Sequence, residues 1–394
     1  MSSSVRLLYL TPGCFDKGGI SRYSRYQIQA LRELCGSNHM RVLSLLGPDD
    51  NSLEEGFAVN WHGSGRPGRL TSTDKAAFAT RTLMLAASWR PDVIQAAHVN
   101  FGSLLTTAGM LASAETVMNV YGLEIWSGLS VSRRAHMAKV SRVIADCHFT
   151  ANYVLDEGLH AEAPAVVWDP IDLDRFTPGS RDPDIIAKYK LPDPERNVVI
   201  MSLGRLAKEA AHKGFDRLIL NVARIAPQLP NLRLVIAGRG DDRPRLEKLC
   251  SSYGIADRVT FAGSITEQDL AAVYRCAHIF SLVSDRGHGR GEGLPLTPLE
   301  AMACGVPIVV GNEDGSQEAV VDGRNGFVVS PRSADAHGAI LAKLVADADL
   351  RRKLGIQARA VAIEQFSFRG FAEKHRALLR SIVPGKVDSI ADAA

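Results

Sequence analysis

Short, nearly unbroken apolar runs recur along the whole chain, separated by longer segments in which apolar residues return at helical spacing. The runs are Arg6–Leu10, Arg41–Leu46, Val93–Ala97, Thr116–Val120, Arg142–Ala145 and Val166–Trp168, then Val198–Leu203, Leu232–Ala237, Val259–Ala262, Ile279–Val283, Pro307–Val310 and Phe327–Val329. Continuous apolar character fits strands covered on both faces, as in a parallel sheet. Spacers such as Asp216–Ile225 and Ala339–Leu354 are long enough for crossover helices. The pattern predicts an α/β fold with two doubly wound parallel sheets.

The rhythm breaks at Ile171–Asn197, where Pro178, Gly179, Pro183, Pro192 and Pro194 stand among many charges. A chain of 394 residues is also too long for one ordinary core. We therefore expect an N-terminal domain at 1–178 and a C-terminal domain at 179–365. Ligands of open α/β sheets bind outside the carboxyl ends of the strands. Two such domains facing each other would hold a substrate in a cleft. The segment after Pro384 reads as a frayed tail.

Composition removes several classes. Hydrophobic residues make up 46% and charged residues 23%, ordinary values for a globular protein, and the net charge of +3 gives no reason to expect nucleic acid. No apolar run approaches a membrane span, and Met1-Ser2-Ser3-Ser4 does not open a signal peptide. The six cysteines are scattered without a Cys-x-x-Cys pair, which fits reduced structural thiols in a cytoplasmic protein.

Candidate chemistry is densest in Gly291-Glu292-Gly293-Leu294-Pro295-Leu296-Thr297-Pro298-Leu299-Glu300. Thr297 reads as an N-cap, Pro298 as the first helical residue and Glu300 as a capping-box glutamate, with Gly305 ending the helix. A loop feeding a helix N-terminus presents free N–H groups to anions. A carboxylate on either side suits a phosphate flanked by hydroxyls, the layout of a nucleotide-sugar.

Two cations, Arg205 and Lys213, follow the strand Val198–Leu203 and Gly204, where they would neutralise a diphosphate. Gly18-Gly19 after the first strand would let backbone approach a ligand, or merely start a helix. Gly238-Arg239-Gly240 lacks the third glycine of a dinucleotide fingerprint and reads as a tight turn. Neither His288 nor Asp241-Asp242 has partners at metal-ligand spacing. Ser130–Arg142, read as one helix, is basic and weakly amphipathic. A solvated face is the plainer reading, and an anionic membrane surface is the functional one.

With Tyr121-Gly122-Leu123-Glu124-Ile125-Trp126, Asp169-Pro170-Ile171-Asp172-Leu173-Asp174-Arg175-Phe176, and Gly315 and Glu318, these motifs run over nearly the whole chain in one order. In that order the chain resembles the family 4 retaining glycosyltransferases of GT-B fold. The resemblance implies that Glu300 holds the donor ribose, that Glu292 contacts the donor sugar, and that Arg205 and Lys213 stabilise the departing diphosphate. It implies that Gly18, Gly19, Gly204, Gly293 and Leu294 line the donor, and that the helix after Phe366-Ser367-Phe368, at 366–386, crosses back to the N-terminal domain. Where many relatives have histidine, this chain has Tyr121, which can position a group but titrates too high to act as a base.

The expected activity is metal-independent, retaining transfer of a hexose-type sugar from a nucleoside-diphosphate sugar to a saccharide or lipid-linked acceptor, without a cofactor. UDP-sugar is slightly preferred over GDP-sugar because no guanine-specific feature is visible. A nucleotide-sugar epimerase of the same fold, a non-catalytic nucleotide-sugar sensor and, more remotely, a glycosidase or an NAD-dependent dehydrogenase are the competing readings. The expected location is cytoplasmic, with peripheral association at the inner face of the membrane as a candidate.

Overall fold

The computed structural model describes residues 5–16, 18–47, 59–64, 70–287, 290–384 and 386. Lys17, His288 and Gly289, Met1 to Ser4, and most of the segment after Pro384 lie outside the described residues. The chain forms two compact units, one running to Pro170 and resuming at Phe368, the other Ile171–Ser367.

Among the described residues of the first unit, the strands are β1 (Leu7–Thr11), β2 (Met40–Ser44), β3 (Trp61–His62), β4 (Val93–Ala96), β5 (Glu115–Val120), β6 (Arg142–Ala145) and β7 (Ala165–Val166). They form one sheet in the order β3-β2-β1-β4-β5-β6-β7, with parallel pairing throughout. Alternate residues of β1 serve opposite cores. Leu8 and Leu10 join Phe78, Leu105 and Trp126 on one face. Leu7 and Tyr9 join Ile28, Leu31 and Phe371 on the other. Phe371 belongs to the helix Phe368–Ile382, so the end of the chain packs in the first unit, where Tyr23 and Phe371 meet edge to face with centroids 5.3 Å apart.

The second unit carries β8 (Val198–Leu203), β9 (Leu232–Ala237), β10 (Val259–Gly263), β11 (Ile279–Leu282), β12 (Ile308–Gly311) and β13 (Gly326–Val329). These lie in the order β10-β9-β8-β11-β12-β13, again parallel. Ile200, Leu234, Ile236 and Val309 pack against Leu218, Val222 and Leu341 from the covering helices. In each unit the order reverses beside the first strand, between β1 and β4 and between β8 and β11. Such switch points are where open sheets bind ligands.

All twelve expected strands are present with small shifts at their ends, while β3, two residues in a polar stretch, was not foreseen. The spacer Ala339–Leu354 is not one helix. Two helices, Ala334–Ala346 and Ala348–Gln365, meet at Asp347, whose carboxylate accepts the Leu350 N–H at 2.8 Å and starts the second. Ser130–Arg142 is not one helix either. Ser130 caps a helix that spans only Val131–Met137, and Arg142 opens β6. Two of its arginines are ion-paired, Arg134 to Glu157 at 2.9 Å and Arg142 to Glu162 at 3.1 Å. Among the described residues, no helix is long and apolar enough to cross a membrane. All six cysteines are buried thiols.

Candidate functional site

The carboxyl edge of the second sheet gathers the loops after β8, β11 and β12. Lys213 ends a short 3-10 stretch, Lys208–Lys213, and Gly214 turns the chain into the helix Phe215–Ile225. Lys213 Nζ donates to Glu292 Oε1, and His212 Nε2 lies 3.1 Å from the same oxygen. All three side chains are largely withdrawn from solvent, at 15%, 8% and 17% exposure for Lys213, His212 and Glu292. Burial alone would raise the Glu292 carboxyl. The Lys213 charge and the His212 contact outweigh it and hold the group at about 2. Glu292 is therefore an anion at neutral pH.

The loops are fastened to one another. Arg217, on the helix after Gly214, donates to the carbonyls of His212 and Val283 at 3.1 and 3.0 Å and pairs with Asp285 at 2.6 Å. The Asp285 N–H donates to the His212 carbonyl at 2.9 Å. On the far side, buried Asp314 accepts from Ser284 Oγ at 2.7 Å, from the Glu292 N–H at 2.9 Å and from the Ser316 N–H at 3.0 Å. The Gly315 N–H returns a bond to the Glu292 carbonyl at 3.1 Å. Four segments thus place one carboxylate.

Gly204 earns its place by closeness. A Cβ there would stand 3.1 Å from Lys213 Cδ and 3.3 Å from Phe215 Cζ, so a side chain would crowd the lysine stem. The neighbouring Gly238 turn is a packing device, as the sequence suggested. Its φ is +134°, and a Cβ would fall 1.8 Å from the Gly204 carbonyl oxygen. Arg205 is exposed and has no hydrogen-bond or ion-pair partner among the described residues. It flanks the Lys213–Glu292 pair in sequence without touching it.

The helix after Glu292 begins two residues earlier than expected. It spans Leu296–Ala303 with Pro295 at the N-cap position, and Thr297 lies inside it without a capping bond. Pro295 supplies the extended backbone that turns the chain into the helix, so no hydroxyl cap is used. Glu300 consequently forms no capping box. Its carboxylate is 2% exposed and accepts from Tyr274 OH at 2.7 Å. Tyr274 packs edge to face on Phe176, whose carbonyl, with those of Leu173 and Ala303, is held by Arg359. The Asp169–Phe176 motif therefore buttresses Glu300 through Tyr274. Gly293 is half-buried and Leu294 buried in the same loop.

In the first unit, Gly18 and Gly19 open the helix Gly19–Cys35 after β1. A Cβ on Gly19 would meet nothing within 4 Å, so the fold itself does not require glycine there. Tyr121 follows β5, and its N–H donates to Glu124 Oε1 at 2.7 Å. Asn119 Nδ2 donates to Tyr121 OH at 3.1 Å and to Gln27 Oε1 at 2.6 Å. Gln27 Oε1 also accepts from Tyr9 OH at 2.6 Å, and Gln27 Nε2 donates to His375 Nε2 at 2.7 Å. The other ring nitrogen of His375 lies 2.9 Å from the Phe371 carbonyl, which can only accept, so the proton sits on Nδ1. Burial lowers His375 to about 4, keeping it neutral, and pushes the Tyr121 hydroxyl well above its ordinary range.

Of the residues expected from sequence, Lys213, Glu292 and Gly204 come together directly, and Glu300 lies in the helix that Glu292 leads into. Tyr121, Gly18 and Gly19 stand at the corresponding edge of the first sheet. His212, Arg217, Asp314 and Tyr274 were not foreseen. Asp314 had a visible signal, an Asp-Gly-Ser turn directly after β12. Arg217 and Tyr274 had none, since each acts through tertiary contacts.

Known proteins bear out the architecture. The model of the family "Glycosyl transferases group 1" matches residues 185–361. A GDP-mannose-dependent alpha-(1-6)-phosphatidylinositol monomannoside mannosyltransferase of Mycolicibacterium smegmatis is 31% identical over 279 residues, spanning 68% of this chain and 70% of that protein. A D-inositol 3-phosphate glycosyltransferase of Stackebrandtia nassauensis is 27% identical over 372 residues, 87% of this chain and 82% of the relative. Among solved structures, Anabaena HepE in complex with UDP superposes with a TM-score of 0.77 at 19% identity, covering 96% of this chain and all of that one, at 100%. The chain belongs to the group 1 glycosyltransferases and has their GT-B fold of two Rossmann-like domains.

Proposed function

We propose that this enzyme transfers a hexose with retention of anomeric configuration, and without a metal, from a nucleoside-diphosphate sugar to a membrane glycolipid or lipid-linked saccharide. The observation that carries the reading is the convergence of Lys213 and His212 on Glu292 at the switch point of the second sheet. Cleavage of a sugar–phosphate bond builds negative charge on the departing diphosphate. A preorganised cation at that position stabilises it without reorganisation. Lys213 supplies the buried charge, Arg205 the exposed one, and the N-terminus of the helix Leu296–Ala303 the dipole. Glu292 keeps Lys213 oriented while the site is empty and faces the donor sugar when it is filled. Glu300, backed by Tyr274, holds the ribose. Gly19 and Tyr121 are the first unit's candidate contacts to substrate, and the departing phosphate takes the acceptor proton.

For the donor we favour GDP-mannose, because the Mycolicibacterium relative is named for it. The slight sequence-based leaning towards UDP is not carried by the solved structures that hold UDP, since at 19% identity or less they speak for the fold alone. Peripheral association with a membrane follows from an acceptor of this kind.

The test combines three measurements. Thermal shift against GDP, UDP and ADP identifies the base, since a ligand that binds only the native state raises its melting point. NMR of the product reads the anomer. Turnover in excess chelator tests metal-independence. An inverted anomer, loss of turnover with chelator, or free nucleoside diphosphate released without glycosylated product would each overturn the corresponding part of the reading.

A further inference from the structure

The first unit carries a groove lined by none of the residues assigned to transfer above. It lies between the β2–β3 edge of the sheet and the helix Ser72–Trp89, and has a volume of about 420 Å³. That is within the range of small-ligand sites, roughly 300–1,000 Å³. Two periodicities build it. Arg41 and Leu43 are alternate residues of β2 and share one face of the sheet. Arg81, Leu85 and Trp89 recur every four residues and share one face of the helix. Trp61, paired in register with Leu43, completes the lining.

The floor is rigid. Trp61 packs on Phe78 at 6.1 Å between centroids, and Phe78 stacks on Phe101 at 5.1 Å. The Trp89 carbonyl is fixed by Arg6 Nη1 at 2.8 Å. Asn60 is tied to the Val42 N–H at 2.7 Å. The rim is different. Arg41 lies over the Trp89 ring, 5.7 Å from its centroid. Among the described residues, neither Arg41 nor Arg81 has a carboxylate or any other hydrogen-bond partner. Among the described residues, no acidic side chain lines the groove. Two guanidiniums without a carboxylate partner among the described residues, set beside two indole faces, match an anion joined to a flat, partly apolar ring. Guanidinium binds phosphate as a two-pronged fork, and indole covers the C–H face of a sugar.

The position separates this groove from the transfer site. Arg41 is the second residue of β2, and Trp89 ends the helix that feeds the amino end of β4. The groove thus reaches the amino edge of the sheet, whereas Gly18, Gly19 and Tyr121 follow the carboxyl ends of β1 and β5.

We propose that this groove is a second binding site for a sugar ring bearing one phosphate, distinct from the site of transfer. The same chemistry occurs in a free sugar phosphate and in a phospholipid-linked headgroup. The site would retain such a group beside the enzyme without taking part in the chemistry. The proposal does not depend on the identity of the donor.

The test uses the full chain labelled with ¹⁵N on its four tryptophan indoles, assigned with Trp61→Phe and Trp89→Phe. Titration with glucose 6-phosphate should move the Trp61 and Trp89 signals with a Kd on the order of 1 mM, and glucose or inorganic phosphate alone should bind at least about tenfold more weakly. Arg41→Ala with Arg81→Ala should abolish the response while leaving the melting temperature and the nucleotide-induced thermal shift unchanged. No response, an equal response to phosphate alone, or a response that survives the double change would overturn the proposal. Vesicles of phosphatidylcholine with and without phosphatidylinositol separate the two sources. Binding of phosphatidylinositol vesicles that the double change removes would assign the lipid-linked form. Vesicle binding that survives it, with no response to glucose 6-phosphate, would sink the site.

Discussion

The backbone N–H of Glu292 donates to Asp314 Oδ2 at 2.9 Å, and the same oxygen accepts from Ser284 Oγ at 2.7 Å. One buried carboxylate on the β12 loop therefore sets the height of Glu292 above the sheet. Asp314→Ala would leave the Glu292 and Ser316 N–H groups without this acceptor and Ser284 Oγ with only Ser316 Oγ, at 3.2 Å. An orphaned buried donor costs about 1–3 kcal/mol. The expected outcome is a lower melting temperature by several degrees together with a loss of turnover. Asp314→Asn, which keeps one acceptor oxygen, should fall between the two. Calorimetry and initial rates on the same preparations check this. Full activity in Asp314→Ala would remove the residue from the site's framework.

Among the described residues, Lys213 is the one lysine or arginine that touches the Glu292 carboxylate. Lys213→Met keeps most of the stem that packs under Gly204 and removes the ammonium. Loss of one preorganised group of this type costs about 10²–10³ in turnover. We expect that loss at saturating donor, with a smaller effect on donor affinity. Arg205→Ala, at an exposed position, should lower turnover without moving the melting temperature. Wild-type turnover in both variants at saturating donor would defeat the electrostatic role given to them.

Glu292 also sets a pH signature. Its carboxyl is held at about 2 against an ordinary 4.5, the Lys213 charge and His212 overcoming the cost of burial. A depressed carboxylate adds stability that is complete above 4.5 and is lost as pH falls from 4.5 towards 2. The displacement corresponds to about 3 kcal/mol at most. The melting temperature of Glu292→Gln should lie below wild type at pH 7, and the gap should narrow steadily below pH 4.5. A gap that is constant from pH 7 to pH 3 contradicts the ion pair.

Glu124 behaves in the opposite sense. Burial, followed by the repulsion of Asp146, raises its carboxyl from 4.5 to about 7, although it accepts the Tyr121 N–H. A raised carboxyl favours the protonated folded state. Relative to a neutral group, it therefore destabilises the fold progressively as pH climbs from 4.5 to 7, by about 3 kcal/mol at most. Glu124→Gln preserves the acceptor for the Tyr121 N–H. It should melt higher than wild type at pH 8 and match it near pH 4.5. Melting curves at both values decide the matter.

How far these features could be read from the chain depends on the range of the interaction behind them. Twelve strands were legible because burial on both faces leaves continuous apolar runs such as Val198–Leu203 and Leu232–Ala237. The pair Trp61–His62 was not, since two residues make no pattern and their pairing with Leu43 and Ser44 is tertiary. The helix break at Asp347 was overlooked because alanines on both sides maintain helical character, while the capping bond to Leu350 interrupts it. In the site, Lys213 was legible as a cation just before a helix and Glu292 as a carboxylate in a Gly/Pro loop feeding one. The stagger of the helix start was not, because Thr297 and Pro298 offered a good local cap that Pro295 pre-empted. Tyr274 beneath Glu300 left no local trace, since only the fold brings residues 26 positions apart within 2.7 Å.

The polar chain from His375 through Gln27 and Asn119 to Tyr121 shows how the last helix reaches the first unit's sheet edge. Each bond is 2.6–3.1 Å long, and Gln27, Asn119 and His375 are all but inaccessible to solvent. With His375 neutral and its proton committed to Phe371, Nε2 accepts from Gln27. This fixes the amide so that its oxygen receives both Tyr9 OH and Asn119 Nδ2. The same Asn119 nitrogen then reaches Tyr121 OH. Gln27→Met keeps the volume and removes the three bonds that Gln27 makes, to Tyr9, Asn119 and His375. It should lower the melting temperature, as any buried network loss does. If the network also orients Tyr121, turnover should fall severalfold in the wild-type background and no further in Tyr121→Phe, while the melting temperature falls equally in both. That non-additivity in rate but not in stability is what a purely structural role would not produce. His375→Gln, a milder change at the far end, should give the same pattern at smaller size. Equal losses of rate in the two backgrounds would show that Gln27 acts on folding alone, and an inert Tyr121→Phe would show that the hydroxyl has no task in transfer.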